Sequence, residues 1–145
     1  MLKGIPTILS PELFKVLIEM GHGDEIVLAD CNFPAASHAT RLIRADGHGI
    51  PEMLDAILAF FPLDSYADHA AALMQVVPGD PVTPVIWDVY KQLIQKHEEQ
   101  AHAIAFEERF AFYERTKKAY AVVATGERAQ YANIILKKGV VRQHQ

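Results

Sequence analysis

The side chains best suited to proton chemistry lie in one short stretch, EMGHGDEIVLAD, from Glu19 to Asp30. His22 stands between two glycines. An imidazole both takes and returns a proton near neutral pH, and the glycines leave its approach open. By itself such a histidine reads first as an exposed turn residue. Asp30 ends the apolar run that follows. In open α/β sheets ligands bind beyond the carboxyl ends of the strands, which makes a strand-terminal acid a candidate ligand contact; a loop-capping aspartate explains the same residue equally well. Together, the glycine turn and the strand-end acid are expected to line one crevice. A second candidate pair, Tyr131 and Asn133, opens the run YANIILKKG. Strand alternation would put the phenol and the amide on one side, where both can bind ligand hydroxyls, although a structural strand start accounts for them more simply.

Other chemistries find little support. Cys31 beside Asp30 suggests a nucleophile with His22 as its base, yet no cysteine-hydrolase signature surrounds it and a small buried thiol is the commoner role. Seven histidines raise the question of a metal. There is no HExxH, and His97 and His102, five apart, do not share a helical face, so no metal is expected. GHGDEI has isoleucine where the third glycine of a dinucleotide fingerprint belongs, and GHGIP lacks the P-loop lysine, so no cofactor is expected either.

These side chains must be positioned by elements the pattern makes visible. SPELFKVLIEMGHG reads as a helix with Ser10 as cap, Pro11 in the first turn, Leu13, Leu17 and Met20 on one face, and Gly21 and Gly23 as the stop. EIVLAD, a continuous apolar run, suits a strand covered on both faces. CNFPAASHATRL reads as a loop, Leu42 and Ile43 as a short strand, and DGHG as a turn. IPEMLDAILAFF follows as a helix, with Leu54, Ile57, Leu58 and Phe61 at helical spacing. AAALMQVV reads as a strand. TPVIWDVYKQLIQKHEEQ reads as a long helix capped by Thr83, with Ile86, Tyr90, Leu93 and His97 inward. AIAFEE is ambiguous, FAFYERTKKA a short helix, and YAVVATGE and YANIILKKG two strands around a turn at Gly126. Helices alternating with buried strands predict an α/β layer structure, with residues 1–145 as a single domain.

Half of the residues are apolar and 22% are charged, the balance of a packed globular chain. A net charge of −4 with scattered lysines and arginines leaves no footprint for nucleic acid. No apolar run reaches membrane-spanning length and the amino terminus carries no signal-type core, which predicts a soluble cytoplasmic protein. A single cysteine fits a reducing compartment.

The segments EMGHGDEIVLAD and RFAFYERTKKAYAVVATGERAQYANIILKKG, with the spacing between them, resemble the fucose mutarotase and ribose pyranase family, and within it the L-fucose branch. The likeness is dense over the first fifty residues and from Arg109 to Gly139. It implies a three-layer α/β/α sandwich around a largely parallel or mixed sheet. It also implies an isomerase that interconverts the α and β anomers of a monosaccharide, with His22 as proton donor and acceptor, and Asp30, Arg109, Tyr131, Ala132 and Asn133 holding the sugar. The ribose branch has a histidine in place of Arg109 and lacks FAFYER, which favours fucose. The chain departs from the fucose pattern at Ala132, usually glycine, and at Cys31, usually alanine. The resemblance further implies a homodecamer of two pentameric rings with sites near subunit contacts, where Asp68, His69 and Tyr120 are candidates to cross the boundary. The alternatives are a pyranase acting on ribose or another sugar, a non-catalytic sugar-binding accessory protein for uptake, and an oligomeric scaffold.

Overall fold

The computed structural model describes residues 1–100 and 102–143. Six short runs pair into one sheet: β1 (Glu25–Ala29), β2 (Leu42–Ala45), β3 (Ala71–Met74), β4 (Ile104–Glu107), β5 (Ala121–Thr125) and β6 (Ile134–Lys137), in the order β2-β5-β1-β6-β3-β4. β1 runs parallel to β5 and β5 to β2, while β6 is antiparallel to both β1 and β3, and β3 is parallel to β4. Five strands therefore point one way and β6 the other.

Both faces of the sheet are covered, which is why its central strands read as unbroken apolar runs. Successive side chains of β1 go to opposite layers. Ile26 and Leu28 pack with helices α1 (Pro11–Glu19), α3 (Ile50–Leu58) and α4 (Ile86–His97) through Leu13, Leu54 and Tyr90. Val27 and Ala29 pack with α2 (Ala35–His38) and α5 (Arg109–Lys118) through Ala35 and Phe112. The result is the expected α/β/α sandwich. Each fully buried Leu or Ile contributes about 1.5–3 kcal/mol relative to exposure, so the sheet is a stiff frame for its two ends.

Several local expectations are corrected. AIAFEE forms β4, an edge strand whose half-exposed side chains blur its period. α2 lies inside the stretch expected to be loop. The two last strands are not neighbours around Gly126: β5 and β6 flank β1 on opposite sides, and the segment between them crosses over the carboxyl end of β1. α1 ends at Glu19, before the glycines, because Met20 is extended at φ −62° and ψ 137°. Lys138 Nζ donates instead to the freed carbonyls of Leu17 and Met20. α4 begins at Ile86 with no side-chain cap, so Thr83 does not cap it. Its buried face is Tyr90 and Ile94, with Ile86 and Leu93 partly covered, and His97 turns to Asp55 at 2.6 Å.

Candidate functional site

Polar chemistry gathers at the two ends of the sheet. At the amino ends of the parallel strands, the turn after α1 carries His22. Gly23, at φ +89°, takes the left-handed conformation that favours glycine, and its N–H donates to Lys138 O at 2.8 Å. Asp24 accepts from Gly21 N at 2.8 Å and closes the turn. The imidazole Nε2 lies 3.0 Å from Asp64 Oδ1. The histidine side chain is 47% exposed and the aspartate 6%, so a buried carboxylate orients an accessible base. An ionised Asp64 accepts from Nε2–H, which leaves the Nδ1 lone pair free to take a proton. Burial pushes the Asp64 carboxyl up, but the Tyr66 N–H, His22 and Lys137 outweigh it and hold the group below the ordinary aspartate range. Tyr66 lies beside the pair, its ring centroid 5.5 Å from that of His22.

At the carboxyl ends, β1 delivers Asp30, and the crossover 126–133 passes over it. Gly126 is the tightest point: its N–H donates to His48 O, and a Cβ there would meet Asp46 O at 2.1 Å. Glu127 pins the crossover, its carboxylate accepting from Ile50 N at the start of α3 at 3.1 Å and its carbonyl from Cys31 N at 2.8 Å. Asn133 Oδ1 accepts from Asp30 N at 2.7 Å, leaving the amide NH₂ to donate elsewhere. Burial pushes the Asp30 carboxyl up, and the Glu127 charge adds to this against the N–H groups of Asn32, Phe33 and Ala132.

Tyr131 sits at φ +56°, at a cost of about 1 kcal/mol for a residue with a side chain. Its phenol donates to Asp80 Oδ2 at 2.6 Å and accepts from Val77 N at 3.3 Å. The Asp80 carboxylate, with burial, holds that phenol above its ordinary pKa, and the nearby Arg109 charge opposes them. Arg109 opens α5 directly after β4 and lies over the Phe110 ring at 4.5 Å. It borders a 170 Å³ cleft with Val77, Pro78 and Phe110. On the other side of Asp30, a 680 Å³ cleft is bordered by Arg44, Thr125 and Arg128.

The model of the RbsD / FucU transport protein family matches residues 3–141. The chain belongs to that family. It is 53% identical over 140 residues to the L-fucose mutarotase of Actinobacillus pleuropneumoniae serotype 5b, covering 97% of each chain. It is 54% identical over 147 residues to the human fucose mutarotase, covering 97% of this chain and 94% of that one. Its fold matches the crystal structure of the Streptococcus pneumoniae fucose mutarotase in complex with L-fucose at a TM-score of 0.93 and 59% identity, over 97% of this chain and all of that one.

In this member of the RbsD / FucU family, Asp30, Arg109, Tyr131, Ala132 and Asn133 come to one end of the sheet and His22 to the other. The expectation of one crevice within the subunit is corrected. The five residues of β1 lie between them, about 16 Å of extended chain at roughly 3.3 Å per residue. Alternation does not relate Tyr131 to Asn133 either, since β6 starts only at Ile134. Ala132 is fully buried, with its N–H turned to Asp30 and its carbonyl to Tyr90, so only its backbone takes part. Asp68 and His69 are exposed in the segment before β3, at the His22 end. Tyr120, just ahead of β5, donates to Glu19 at 3.1 Å under the Arg41 guanidinium.

Sequence reasoning missed Asp64 and Asp80. Asp64 lies 42 positions from His22, and its one signal was an acid set directly behind the apolar run that ends α3. Asp80 sat in a proline- and glycine-rich turn and read as punctuation. No helix among the described residues is long and apolar enough to cross a membrane.

Proposed function

We propose that the protein is an L-fucose mutarotase, an isomerase that interconverts the α and β anomers of L-fucopyranose. The observation that carries this reading is the likeness to the S. pneumoniae enzyme solved with L-fucose, at 59% identity over 97% of the chain.

The chemistry asks for one proton to leave the anomeric hydroxyl and one to reach the ring oxygen. The C1–O5 bond then breaks to give the open aldehyde, the carbonyl face turns, and the reverse steps close the ring. His22 serves both transfers, because the group that accepts the proton also returns one. Asp64 holds the imidazole by Nε2 and keeps Nδ1 as the working nitrogen. Asp30 and the free NH₂ of Asn133 take sugar hydroxyls, and Arg109 supplies fixed donors to a hydroxyl or the ring oxygen. Tyr131 fixes the pose through its place beside Arg109. Proton transfer alone accomplishes the reaction, so the proposal includes no metal and no organic cofactor.

One complete site then needs two subunits, with the partner subunit's His22 facing the Asp30 end of its neighbour. The surface supports such a head-to-tail contact. Met1, Leu2, Ile18 and Phe60 are exposed toward the His22 end, and Val77, Val85, Phe106 and Phe110 toward the Asp30 end. Two different apolar patches meeting heterologously form a ring where the rotation between subunits closes, and the proposed assembly is such a ring, a decamer of two pentamers, working in the cytoplasm.

The test is NMR exchange between the anomeric protons of L-fucose with the protein, with His22→Ala, and with D-ribose in place of fucose. The expected outcome is magnetisation transfer for fucose that disappears in His22→Ala while fucose still binds. A response to ribose alone would move the assignment to the pyranase branch; binding without exchange in the unaltered protein would make it a sugar carrier.

A further inference from the structure

Behind the Asp30 end, α4 presents two hydrogen-bond donors to consecutive carbonyls of the crossover. Trp87 Nε1 donates to Tyr131 O and Tyr90 Oη to Ala132 O, both at 2.7 Å. The two residues are three apart, so they share one face of the helix. Tyr90 is completely buried, packed in the core beneath the sheet, and its hydroxyl reaches out of that apolar layer to a single backbone oxygen. Nothing about packing asks for that hydroxyl, since phenylalanine would fill the same volume.

The peptide joining Tyr131 to Ala132 is gripped from both sides. Its carbonyl takes the Trp87 indole N–H, and its N–H points at the Asp30 carboxylate. The next carbonyl takes Tyr90, and the side chain after that, Asn133, holds Asp30 N at 2.7 Å. The same segment contains Tyr131 at φ +56°, the one positive φ outside glycine among the described residues. A backbone in that conformation persists where its surroundings over-determine it, and the two donors from α4 do so here.

We propose that Trp87 and Tyr90 are positioning residues for the mutarotase site, fixing the backbone of Tyr131, Ala132 and Asn133 in the shape that presents Asp30 and the Asn133 amide to the sugar. The inference rests on the reading of that segment as sugar-holding. Neither residue touches the reacting atoms. They act by removing the freedom that the segment would otherwise lose when sugar binds, a contribution made equally to ground and transition states. It therefore belongs in KM and not in kcat.

The experiment measures kcat and KM for L-fucose anomer exchange in Trp87→Phe, Tyr90→Phe and the double variant, beside Asn133→Ala and the thermal midpoint of each. Each lost hydrogen bond is expected to raise KM about three- to tenfold with kcat held within about twofold. The double variant should exceed either single one. Trp87 is only partly buried, so Trp87→Phe yields a folded protein even if the Tyr90 change does not. A lowered thermal midpoint with KM unchanged in both single variants overturns the proposal and leaves the two bonds as structural ties. If Asn133→Ala leaves KM and kcat untouched, the sugar-holding reading falls and this inference with it; if Asn133→Ala raises KM while the α4 variants do not, only this inference falls.

Discussion

The two ends of the sheet carry the same kinds of group in different settings. At one, a buried carboxylate fixes a half-exposed imidazole through a single side-chain contact. At the other, Asp30 is held almost wholly by backbone: its own N–H goes to Asn133, and the Asn32, Phe33 and Ala132 N–H groups face its carboxylate. The first arrangement leaves a proton carrier accessible and aimed. The second builds a rigid cradle with few loose side chains. An acid–base group benefits from access and a binding surface from preorganisation, and in the proposed mutarotase the fold would separate these needs by the length of a strand.

The sharpest way to break this division of labour is to put the two halves on different subunits. Subunits with His22→Ala and subunits with Asp30→Asn are each expected to lose exchange. Reassembled in equal amounts, they should regain about a quarter of the original activity, because one head-to-tail contact in four then joins two intact ends. Mixed assemblies that stay inactive would mean that a site does not draw one half from each of two subunits.

A second contrast lies in the glycines. At the Asp30 end, Gly126→Ala drives a methyl to 2.1 Å from the Asp46 carbonyl oxygen, and about 2–3 kcal/mol of stability should be lost. At the His22 end, a Cβ on Gly21 meets nothing closer than Asp24 Oδ2 at 3.7 Å, so Gly21→Ala should stay within about 0.5 kcal/mol. Urea unfolding of both variants measures the difference. Equal losses would show that the crossover is no more constrained than the histidine turn.

The same contrast explains what was legible in the sequence. Elements with a strong apolar period were readable: the α1 face of Leu13 and Leu17, the buried run of β1, and the α3 face of Leu54 and Ile57 all appear where the spacing put them. His22, Asp30 and Asn133 were also singled out as candidates from local signals. What local signals do not carry is pairing between distant segments. β6 inserts antiparallel between β1 and β3, and nothing within YANIILKKG says so. The glycine turn and the strand-end acid were expected to line one crevice, but β1 runs extended between them and sets them at opposite ends of the sheet. Asp64, the partner the imidazole has, became visible only when the end of β6, bridged to Leu63 through Lys138, brought the stretch after α3 against the histidine loop. Thr83 failed as a cap for a local reason: the position just before the helix is Val85, already helical at φ −62° and ψ −30°, and its side chain has no acceptor to offer.

The smallest expected effect concerns pH, and its sign separates the two carboxylates. Asp64 is held below the ordinary aspartate value of 3.8. Its ionised form therefore contributes stability that is in place above pH 3.8 and is lost as pH falls through the lowered value. Asp30, held above 3.8 by burial and by Glu127, behaves oppositely: its contribution is complete below pH 3.8 and is lost as pH rises through the raised value. Melting temperatures of Asp64→Asn and Asp30→Asn against the unaltered protein from acid to neutral pH should diverge accordingly. The Asp64→Asn deficit should grow as pH rises to 3.8 and then level off. Asp30→Asn should gain on the unaltered protein above 3.8. Slopes of the same sign would mean that the two carboxylates feel the same surroundings, and the difference between a side-chain-held and a backbone-held acid would have no energetic content. Opposite slopes would tie it to the proposed chemistry: the carboxylate proposed to orient a base is stabilised as an anion, while the one proposed to meet neutral sugar hydroxyls is held at the expense of its own charge.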